Sequence, residues 1–148
     1  MYKHILIATD GSKLSAKAVK TAMRLAKALG AKVTAAYVIA PYVTPMYSEA
    51  LAYAPPVTQQ RYRELAAREA KKALAAVEAE ANAAGVPCST QTTTNEHPWR
   101  GIVRTAQARK CDVIVMASHG RRGLSGLLLG SETSKVLTHS KIPVLVCR

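Results

Sequence analysis

The chain has 148 residues, about the length of one average domain, so we expect a single domain over residues 1–148. Hydrophobic residues make up 49% and charged residues 20%, a balance that excludes an intrinsically disordered chain. Lysine and arginine total 21 against nine aspartates and glutamates. The resulting formal charge of +12 favours anionic partners such as nucleotides, nucleic acid or acidic surfaces.

Cysteine usage and the short apolar runs indicate a cytoplasmic protein. Cys88, Cys111 and Cys147 are odd in number and far apart, without a Cys-x-x-Cys pair or clustered histidines, so neither a disulfide framework nor a zinc site is predicted. The apolar run before Thr9 has five residues, too few for a signal peptide or a membrane span. Prolines interrupt the longer uncharged stretch over 33–48. We therefore expect a cytoplasmic location and no membrane association.

Strands and helices alternate through the first half of the chain. The predicted elements are a strand at His4–Ala8, a helix from about Ser15 to Leu29 that ends at Gly30, a strand at Lys32–Ile39, and a long helix at Thr58–Ala84 with Thr58 as N-cap and Gly85 as stop. The loop over 40–57 holds four of the seven prolines and three tyrosines. Such a long connection favours a lid, a flap or an interface element.

The second half continues the alternation and ends on a strand. The predicted elements are a polar edge strand at Cys88–Thr94, a helix from about Pro98 to Arg109, a fully apolar strand at Asp112–Ala117, a glycine-containing loop at Ser118–Gly130, a short helix at Ser131–Ser140, and a strand at Ile142–Cys147.

Five strands alternating with four helices predict the α/β class, a doubly wound, five-stranded parallel sheet with helices on both faces. In the strand order 3-2-1-4-5, the winding reverses between the first and fourth strands. Ligands bind beyond the carboxyl ends of the strands at such a reversal. The loops there are 9–12 and 117–120, so we expect the binding site between them.

The second of these loops has the composition of a phosphate site. Residues 117–132 are A-S-H-G-R-R-G-L-S-G-L-L-L-G-S-E, in which Gly120 allows close backbone approach and Gly130-Ser131 opens a helix whose free amides attract an anion. The alternative is that Gly120 and Gly123 only form a turn and Ser131 only caps the helix. The general fingerprints G-x-x-x-x-G-K-[ST] and G-x-G-x-x-G are both absent.

A-S-H-G, nine residues and then G-S, between an apolar strand and the last helix, resembles the signature of the universal stress protein family. The resemblance covers nearly the whole chain. The opening K-H-I-L-I-A-T-D-G-S, the second strand A-A-Y-V-I, the segments D-V-I-V-M-A and L-L-L-G-S-E-T-S-K-V-L, and the ending K-I-P-V-L-V resemble that family in order and position. The nucleotide-binding branch of the family binds ATP through G-x-x-G, nine residues, G-[ST].

The resemblance implies an ATP site at the matching positions. Asp10 is expected to face the ribose or the metal and phosphate region, and the backbone of Val38 to meet the edge of adenine. Ala8 and Thr9 are expected to flank the base. Magnesium bound with the nucleotide would depend on Asp10, the phosphates and water.

The same resemblance places the phosphates at Gly120, Gly130 and Ser131, and the ribose against Ala117. In the family pattern a glycine stands where this chain has Ala117. If that residue needs a positive φ, alanine costs about 1 kcal/mol or more. If it ends an extended strand, alanine costs almost nothing.

Three further residues of the motif have two interpretations each. Arg121 and Arg122 could reach phosphate oxygens through their guanidinium groups or could lie solvated in the loop. His119 could carry a proton or bind metal, but a lone histidine is more often structural. Glu132 is the only carboxylate near the proposed site apart from Asp10.

The first helix carries a row of cations on one face, at spacings of four, three, four and three. The row is either a docking surface for an acidic protein or nucleic acid, or a solvated helix face. Nucleic acid is disfavoured because the helix has no interleaved aromatic residues. The row consists of Lys13, Lys17, Lys20, Arg24 and Lys27.

The last strand, Ile142–Cys147, lies at an edge of the predicted sheet. An apolar edge invites pairing with a second copy of itself. The family resemblance implies the same antiparallel homodimer, with Cys147 near the junction.

These observations favour an ATP-binding regulatory or stress-response protein whose dimer changes shape or partner affinity with the bound nucleotide. A dimeric interaction module without nucleotide, closed by Ala117, is the alternative. No general base is positioned in the sequence, so no catalytic residue is assigned, and slow ATP hydrolysis or self-phosphorylation stays open. A phospho-receiver domain is excluded because Asp10 stands alone after the first strand and no phosphorylatable aspartate ends the third.

Overall fold

The computed structural model describes residues 1–43, 58–121 and 129–148. Five parallel strands form one sheet in the order 3-2-1-4-5, which confirms the predicted α/β fold. The strands are β1 (His4–Ala8), β2 (Lys32–Ile39), β3 (Cys88–Thr94), β4 (Val113–Ala117) and β5 (Val144–Cys147). The helices are α1 (Lys13–Leu29), α2 (Gln59–Ala84), α3 (Pro98–Ala108) and α4 (Ser131–His139).

Capping side chains and glycines set the ends of the first two helices. The Ser12 hydroxyl accepts a hydrogen bond from the Ser15 amide at 3.1 Å, so α1 begins at Lys13 and not at the predicted Ser15. Thr58 caps α2 as predicted, by accepting from the amide of Arg61. Both helices end on the predicted glycines, which have φ values of +63° and +68°.

The last strand is shorter than predicted. The Ser140 hydroxyl accepts from the Ile142 amide and donates to the Ile142 carbonyl, which holds these residues in a turn. β5 therefore begins at Val144, and α4 ends one residue before Ser140. The third helix and fourth strand are also each one residue shorter than predicted.

The two faces of the sheet are covered by different helices. Side chains of β1 alternate, so that Ile5 and Ile7 pack in the cluster under α1 and α2 while Leu6 and Ala8 pack in the cluster under α3 and α4. All five residues of β1 and of β4 are buried. These central strands form the fixed frame from which the loops at the carboxyl edge emerge.

The carboxyl ends of β1 and β4, where the reversal of strand order predicts a crevice, are adjacent. Ile7 pairs with Val115 in the parallel ladder, so the two strands end side by side. The loops after Ala8 and Ala117 therefore start next to each other, as the strand order requires.

The predicted lid over 40–57 lies outside the described residues from position 44 onward. Its first residues are held to the start of α2, where the Tyr62 hydroxyl donates to the Ala40 carbonyl at 2.7 Å. The rings of Tyr42 and Tyr62 are 5.5 Å apart. Across the three described ranges, no helix is both long and apolar enough to cross a membrane.

Gly101 allows α3 to pack closely on β2, and we expect Gly101→Ala to destabilise the fold. A Cβ at this position would lie 2.8 Å from both γ-methyl groups of Val38. Overpacking of this kind costs about 1–3 kcal/mol, whereas alanine in an unhindered helix would stabilise by about 1 kcal/mol. Urea unfolding measures the change, with the exposed substitution Arg104→Ala as control. An unchanged or larger free energy of unfolding would show that α3 can move away without cost.

Candidate functional site

The turn after β1 is fixed by its own side chains. Asp10 Oδ1 accepts a hydrogen bond from the Ser12 amide at 2.9 Å, and Thr9 Oγ1 accepts one from the Gly11 amide at 3.2 Å. Thr9 is buried and its hydroxyl also contacts the Ser15 hydroxyl at 3.1 Å. Gly11 has a φ of +76°, which a residue with a side chain adopts only with strain. The turn therefore holds Asp10 in one place at the start of α1.

The Asp10 carboxylate joins this turn to the loop after β4. Its second oxygen, Oδ2, accepts a hydrogen bond from the Arg121 amide at 2.8 Å. Burial raises the pKa of the Asp10 carboxyl, but hydrogen bonds from Ser12, Ser15 and the Arg121 amide outweigh burial and bring the pKa below its ordinary value. Asp10 is consequently a charged acceptor at neutral pH.

The backbone of Gly120 lies close to the Asp10 carboxylate. A Cβ at Gly120 would lie 3.0 Å from Asp10 Oδ2, which is tighter than ordinary van der Waals contact. A side chain at position 120 would therefore displace the carboxylate or the loop by a few tenths of an ångström, and no positive φ is involved.

The side chain of Arg121 runs toward α2. Its Nε donates to the Asp10 carbonyl at 2.7 Å, and its Nη2 lies 3.1 Å from Glu69 Oε2. Both side chains of this ion pair are about half exposed, so solvent screens the attraction. Arg122 and the rest of 122–128, including Gly123, lie outside the described residues.

The two ends of the loop 118–130 are joined by backbone hydrogen bonds. The Ser118 amide donates to the Cys147 carbonyl, and the Ser118 carbonyl accepts from the Gly130 amide, both at 2.7 Å. The Thr133 hydroxyl donates to the Ala117 carbonyl at 3.0 Å. These bonds fix the start of α4 against the end of β4.

Ala117 is the last residue of β4 and is buried. Among the described residues other than glycine, only Lys110 has a positive φ. Ala117 is therefore extended, and the alanine carries no backbone penalty. At this position, alanine therefore differs from the glycine of the family pattern only by the added methyl group.

The start of α4 has no side-chain cap. Gly130 is the N-cap, and the Ser131 side chain is exposed in the first position of the helix. Ser131 therefore does not act as the helix cap that the alternative interpretation required. A Cβ on Gly130 would lie 3.0 Å from the Ser118 carbonyl oxygen and 3.3 Å from the His119 Cα, so a side chain here would also be tightly packed.

The side chains of His119 and Glu132 make their contacts in different parts of the structure. The His119 Nδ1 lies 3.0 Å from the Ser118 hydroxyl, whereas its Nε2 is buried and has no hydrogen-bond partner among residues 1–43, 58–121 and 129–148. Glu132 accepts the Trp99 amide at 2.9 Å and pairs with Lys135 at 3.1 Å. Glu132 thus serves the first turn of α3, at a distance from the turn that holds Asp10.

Two of the three residues predicted around the base, Ala8 and Val38, share one face of the sheet, whereas the Thr9 hydroxyl contacts Ser15 on the other side. Ala8 is buried in the cluster under α3 and α4, and Val38 packs partly buried against the same cluster. Thr93, the neighbour of Val38 in the ladder with β3, has a buried hydroxyl oxygen without a hydrogen-bond partner in the described part of the chain.

The structure also contains a cavity of about 210 Å³ on the other face of the sheet, between α1 and α2. Thr9 and Ser12 line it from the turn between β1 and α1, Ala73 and Glu69 line it from α2, and Arg121 lines it from the loop after β4. Because Val38 lies on the opposite face, this cavity is separate from the surface expected to meet the base.

Sequence reasoning missed Glu69 and Ser118. Glu69 binds Arg121 only because α2 docks beside α1, and nothing in the local sequence signals that contact. Ser118 was identifiable from its position between Ala117 and His119, but its role is carried by its backbone. Within the described ranges, no group of three or more histidine, cysteine, aspartate or glutamate side chains could hold a metal ion.

The sequence model of the universal stress protein family matches residues 1–148 of this chain. The chain is 35% identical to the universal stress protein MJ0531 of Methanocaldococcus jannaschii over 150 positions, which cover 100% of this chain and 83% of that protein. This chain therefore belongs to the universal stress protein family.

Two solved structures of similar proteins support the same assignment. The hypothetical protein MJ0577 of Methanocaldococcus jannaschii superposes with a TM-score of 0.80 at 28% identity, over 99% of this chain and 96% of the other. A universal stress protein in complex with cAMP superposes with a TM-score of 0.72 at 27% identity, over 99% and 97% of the two chains.

We expect Asp10→Asn to lower stability, because the amide nitrogen that replaces one oxygen would face a backbone N–H. The loss at neutral pH should be about 1–2 kcal/mol by urea unfolding. The folded-state pKa of Asp10 is lowered, so its contribution is full above the ordinary pKa near 3.8 and is lost as pH falls through the folded value.

The difference between wild type and Asp10→Asn should therefore shrink toward pH 3. The exposed substitution Glu96→Gln serves as control. A difference that stays constant down to pH 3 would show that the charge of Asp10 contributes nothing.

Proposed function

We propose that this chain is an ATP-binding regulatory protein of the stress response, a homodimer whose shape or partner affinity depends on the bound nucleotide. Residues 1–148 would form one nucleotide-binding domain. Membership of the universal stress protein family supports the regulatory part of the proposal. A cytoplasmic location stays a prediction.

The start of α4 carries the nucleotide part of the proposal. Its first amides have no side-chain cap, and Ser131 adds an exposed hydroxyl beside them. Amides at a helix N-terminus attract phosphate through hydrogen bonds and the helix dipole. Because Gly130 carries no side chain, a phosphate could approach its backbone closely.

Adenine and the ribose would lie between β1, β2 and β4. Ala8 and Val38 lie on the same face of the sheet and offer an apolar surface. Ala117 is the last residue of β4, the strand that precedes α4 in the chain. That a similar universal stress protein was solved in complex with cAMP supports an adenine nucleotide as ligand.

Asp10 fits the role of a magnesium ligand. Its two carboxylate oxygens accept the backbone amides of Ser12 and Arg121, and Mg²⁺ prefers oxygen ligands shared with phosphates and water. Bound with ATP, the ion would neutralise phosphate charge. Asp10 would orient it from the fixed turn after β1.

The alternative, a dimeric module without nucleotide, is favoured by one observation. Arg121 uses its amide and its side chain on Asp10 and Glu69, an arrangement that closes the loop over the carboxylate. ATP would have to compete with these contacts. Against the alternative, Ala117 is extended and carries no backbone strain.

ATP binding is tested first on the purified protein. Denaturation and chromatography should release adenine nucleotide in near-stoichiometric amount, or calorimetry with Mg-ATP should give a dissociation constant of about 1–100 μM. Ser131→Ala should weaken binding about tenfold through loss of one hydrogen bond to a charged group. Thr138→Ala, on the same helix, is the control.

Two substitutions, one that replaces a glycine and one that introduces a glycine, distinguish the nucleotide-binding protein from the module without nucleotide. Gly130→Val should abolish binding, because its side chain would meet the Ser118 carbonyl and block the approach of phosphate. Ala117→Gly should change affinity by less than about threefold, since alanine costs the strand almost nothing. Binding that appears only in Ala117→Gly would instead establish the module without nucleotide.

Dimerisation would use β5 at the edge of the sheet. The carbonyls of Pro143 and Cys147 accept from β4, so the backbone groups of the alternate residues Val144 and Val146 point outward. Leu145 is 39% exposed there. An unpaired apolar edge is suited to antiparallel pairing with a second copy.

Val146→Pro should convert the dimer to a monomer in sedimentation experiments. Proline removes an outward amide and leaves the bonds to β4 in place. Leu145→Ala should weaken the dimer, whereas Leu65→Ala, which removes an equally exposed leucine from α2, should not. A dimer that survives Val146→Pro unchanged would place the interface elsewhere.

A further inference from the structure

The exposed face of α1 is almost entirely cationic. Every exposed residue of this helix is a lysine, an arginine or an alanine, and the helix contains no acidic residue. The five cations recur at four- and three-residue spacing and lie along one stripe of about 21 Å. We call this stripe the α1 row; it consists of Lys13, Lys17, Lys20, Arg24 and Lys27.

The α1 row is poorly neutralised by the described part of the chain. Its one acidic neighbour there is Glu80, whose Oε1 lies 4.0 Å from the Lys20 ammonium, with both side chains well exposed. Like charges three and four positions apart destabilise a helix by a few tenths of a kcal/mol per pair. The row therefore repels itself, and an anionic surface laid along it would relieve that repulsion.

The neighbouring helix on the same face of the sheet shows a different charge pattern. α2 carries five basic and four acidic residues, and pairs such as Arg61 and Glu64, 3.5 Å apart, interleave the two signs. α1 thus carries five of the twelve excess positive charges, whereas the net charge of α2 is one.

We propose that the α1 row is a docking surface for an acidic helix of a partner protein. A row repeating every three to four residues matches glutamates at the same spacing on a second helix. Ala16 and Ala28 are exposed beside the cations, and small residues let two helix backbones approach closely. α1 carries no aromatic side chain to stack on a nucleic-acid base, which favours protein over nucleic acid.

This proposal is independent of nucleotide binding. Lys17, Arg24 and Lys27 take no part in the contacts around Asp10 or the start of α4. A variant that removes these three cations should therefore lose the partner and keep its affinity for Mg-ATP, so failure of one proposal leaves the other testable.

The probe is a labelled alanine-rich peptide of about 18 residues with glutamates at alternating four- and three-residue spacing. A peptide of identical composition with its glutamates spread around the helix tests the geometry. A short DNA duplex tests the competing class of partner. Fluorescence anisotropy measures binding, and raising the salt concentration should weaken it.

Two triple variants lower the formal charge equally. Lys17→Gln with Arg24→Gln and Lys27→Gln removes three of the five cations of the α1 row, and should weaken peptide binding at least about tenfold, through three lost ion pairs.

The matched control removes three exposed cations from α2 and should cost less than about threefold. It combines Arg63→Gln, Arg68→Gln and Lys71→Gln. Thermal unfolding confirms that both triple variants fold.

Selective loss in the α1 variant, together with preference for the aligned peptide, is the expected result. Equal losses in the two variants would mean that net charge alone attracts the peptide, and the docking surface would be rejected. Equal binding of the two peptides would reject the helical partner, and tighter binding of the DNA duplex would reject an acidic protein in favour of nucleic acid.

Discussion

The carboxylate of Asp10 accepts one hydrogen bond from the Ser12 amide and another from the Arg121 amide. The first bond belongs to the turn that starts α1, and the second belongs to the loop after β4. Because β1 and β4 end side by side, a single short side chain can reach both. Burial alone would favour the protonated acid, but the surrounding hydrogen-bond donors keep the carboxylate charged at neutral pH. The two hydrogen bonds that connect the loops are therefore bonds to a charged acceptor, which are stronger than bonds between neutral groups.

The shape of the site depends on where side chains are missing. Gly120 and Gly130 have no backbone angle that requires glycine, yet a Cβ on either would press against Asp10 or Ser118. Ala117 shows the opposite case, since it replaces a family glycine in an extended strand where a methyl group fits the local backbone. The physical reason for a glycine thus differs from position to position, and only its neighbours reveal that reason.

Charge is distributed unevenly over the molecule. α1 concentrates cations on its exposed side, whereas the acidic groups of α2 and α4 are used in contacts within the chain. Glu69 holds Arg121, and Glu132 accepts the amide of Trp99. The few carboxylates therefore organise the fold, and the surplus of positive charge is left on the surface to attract anions.

The sequence by itself determined the elements and their order. Helical periodicity, the glycines at 30 and 85 and the N-cap Thr58 are local signals, and alternation of strands and helices restricts the topology to a parallel sheet. Element ends differed by one or two residues where a side chain such as Ser12 or Ser140 made a bond that spacing does not reveal. The adjacency of the two loops at the carboxyl edge was also predictable, because strand order alone brings these loops together.

Only the tertiary structure decided how the residues of those loops are used. Arg121 and Glu132 lie in the motif, but Arg121 reaches α2 and Glu132 serves α3. Their partners are distant in the chain, and a contact of this kind depends on how helices dock on the sheet. Local sequence fixes backbone propensity, whereas the choice of partner is fixed by packing of the whole chain, and that is why the fold was predictable in detail and the contacts within the site were not.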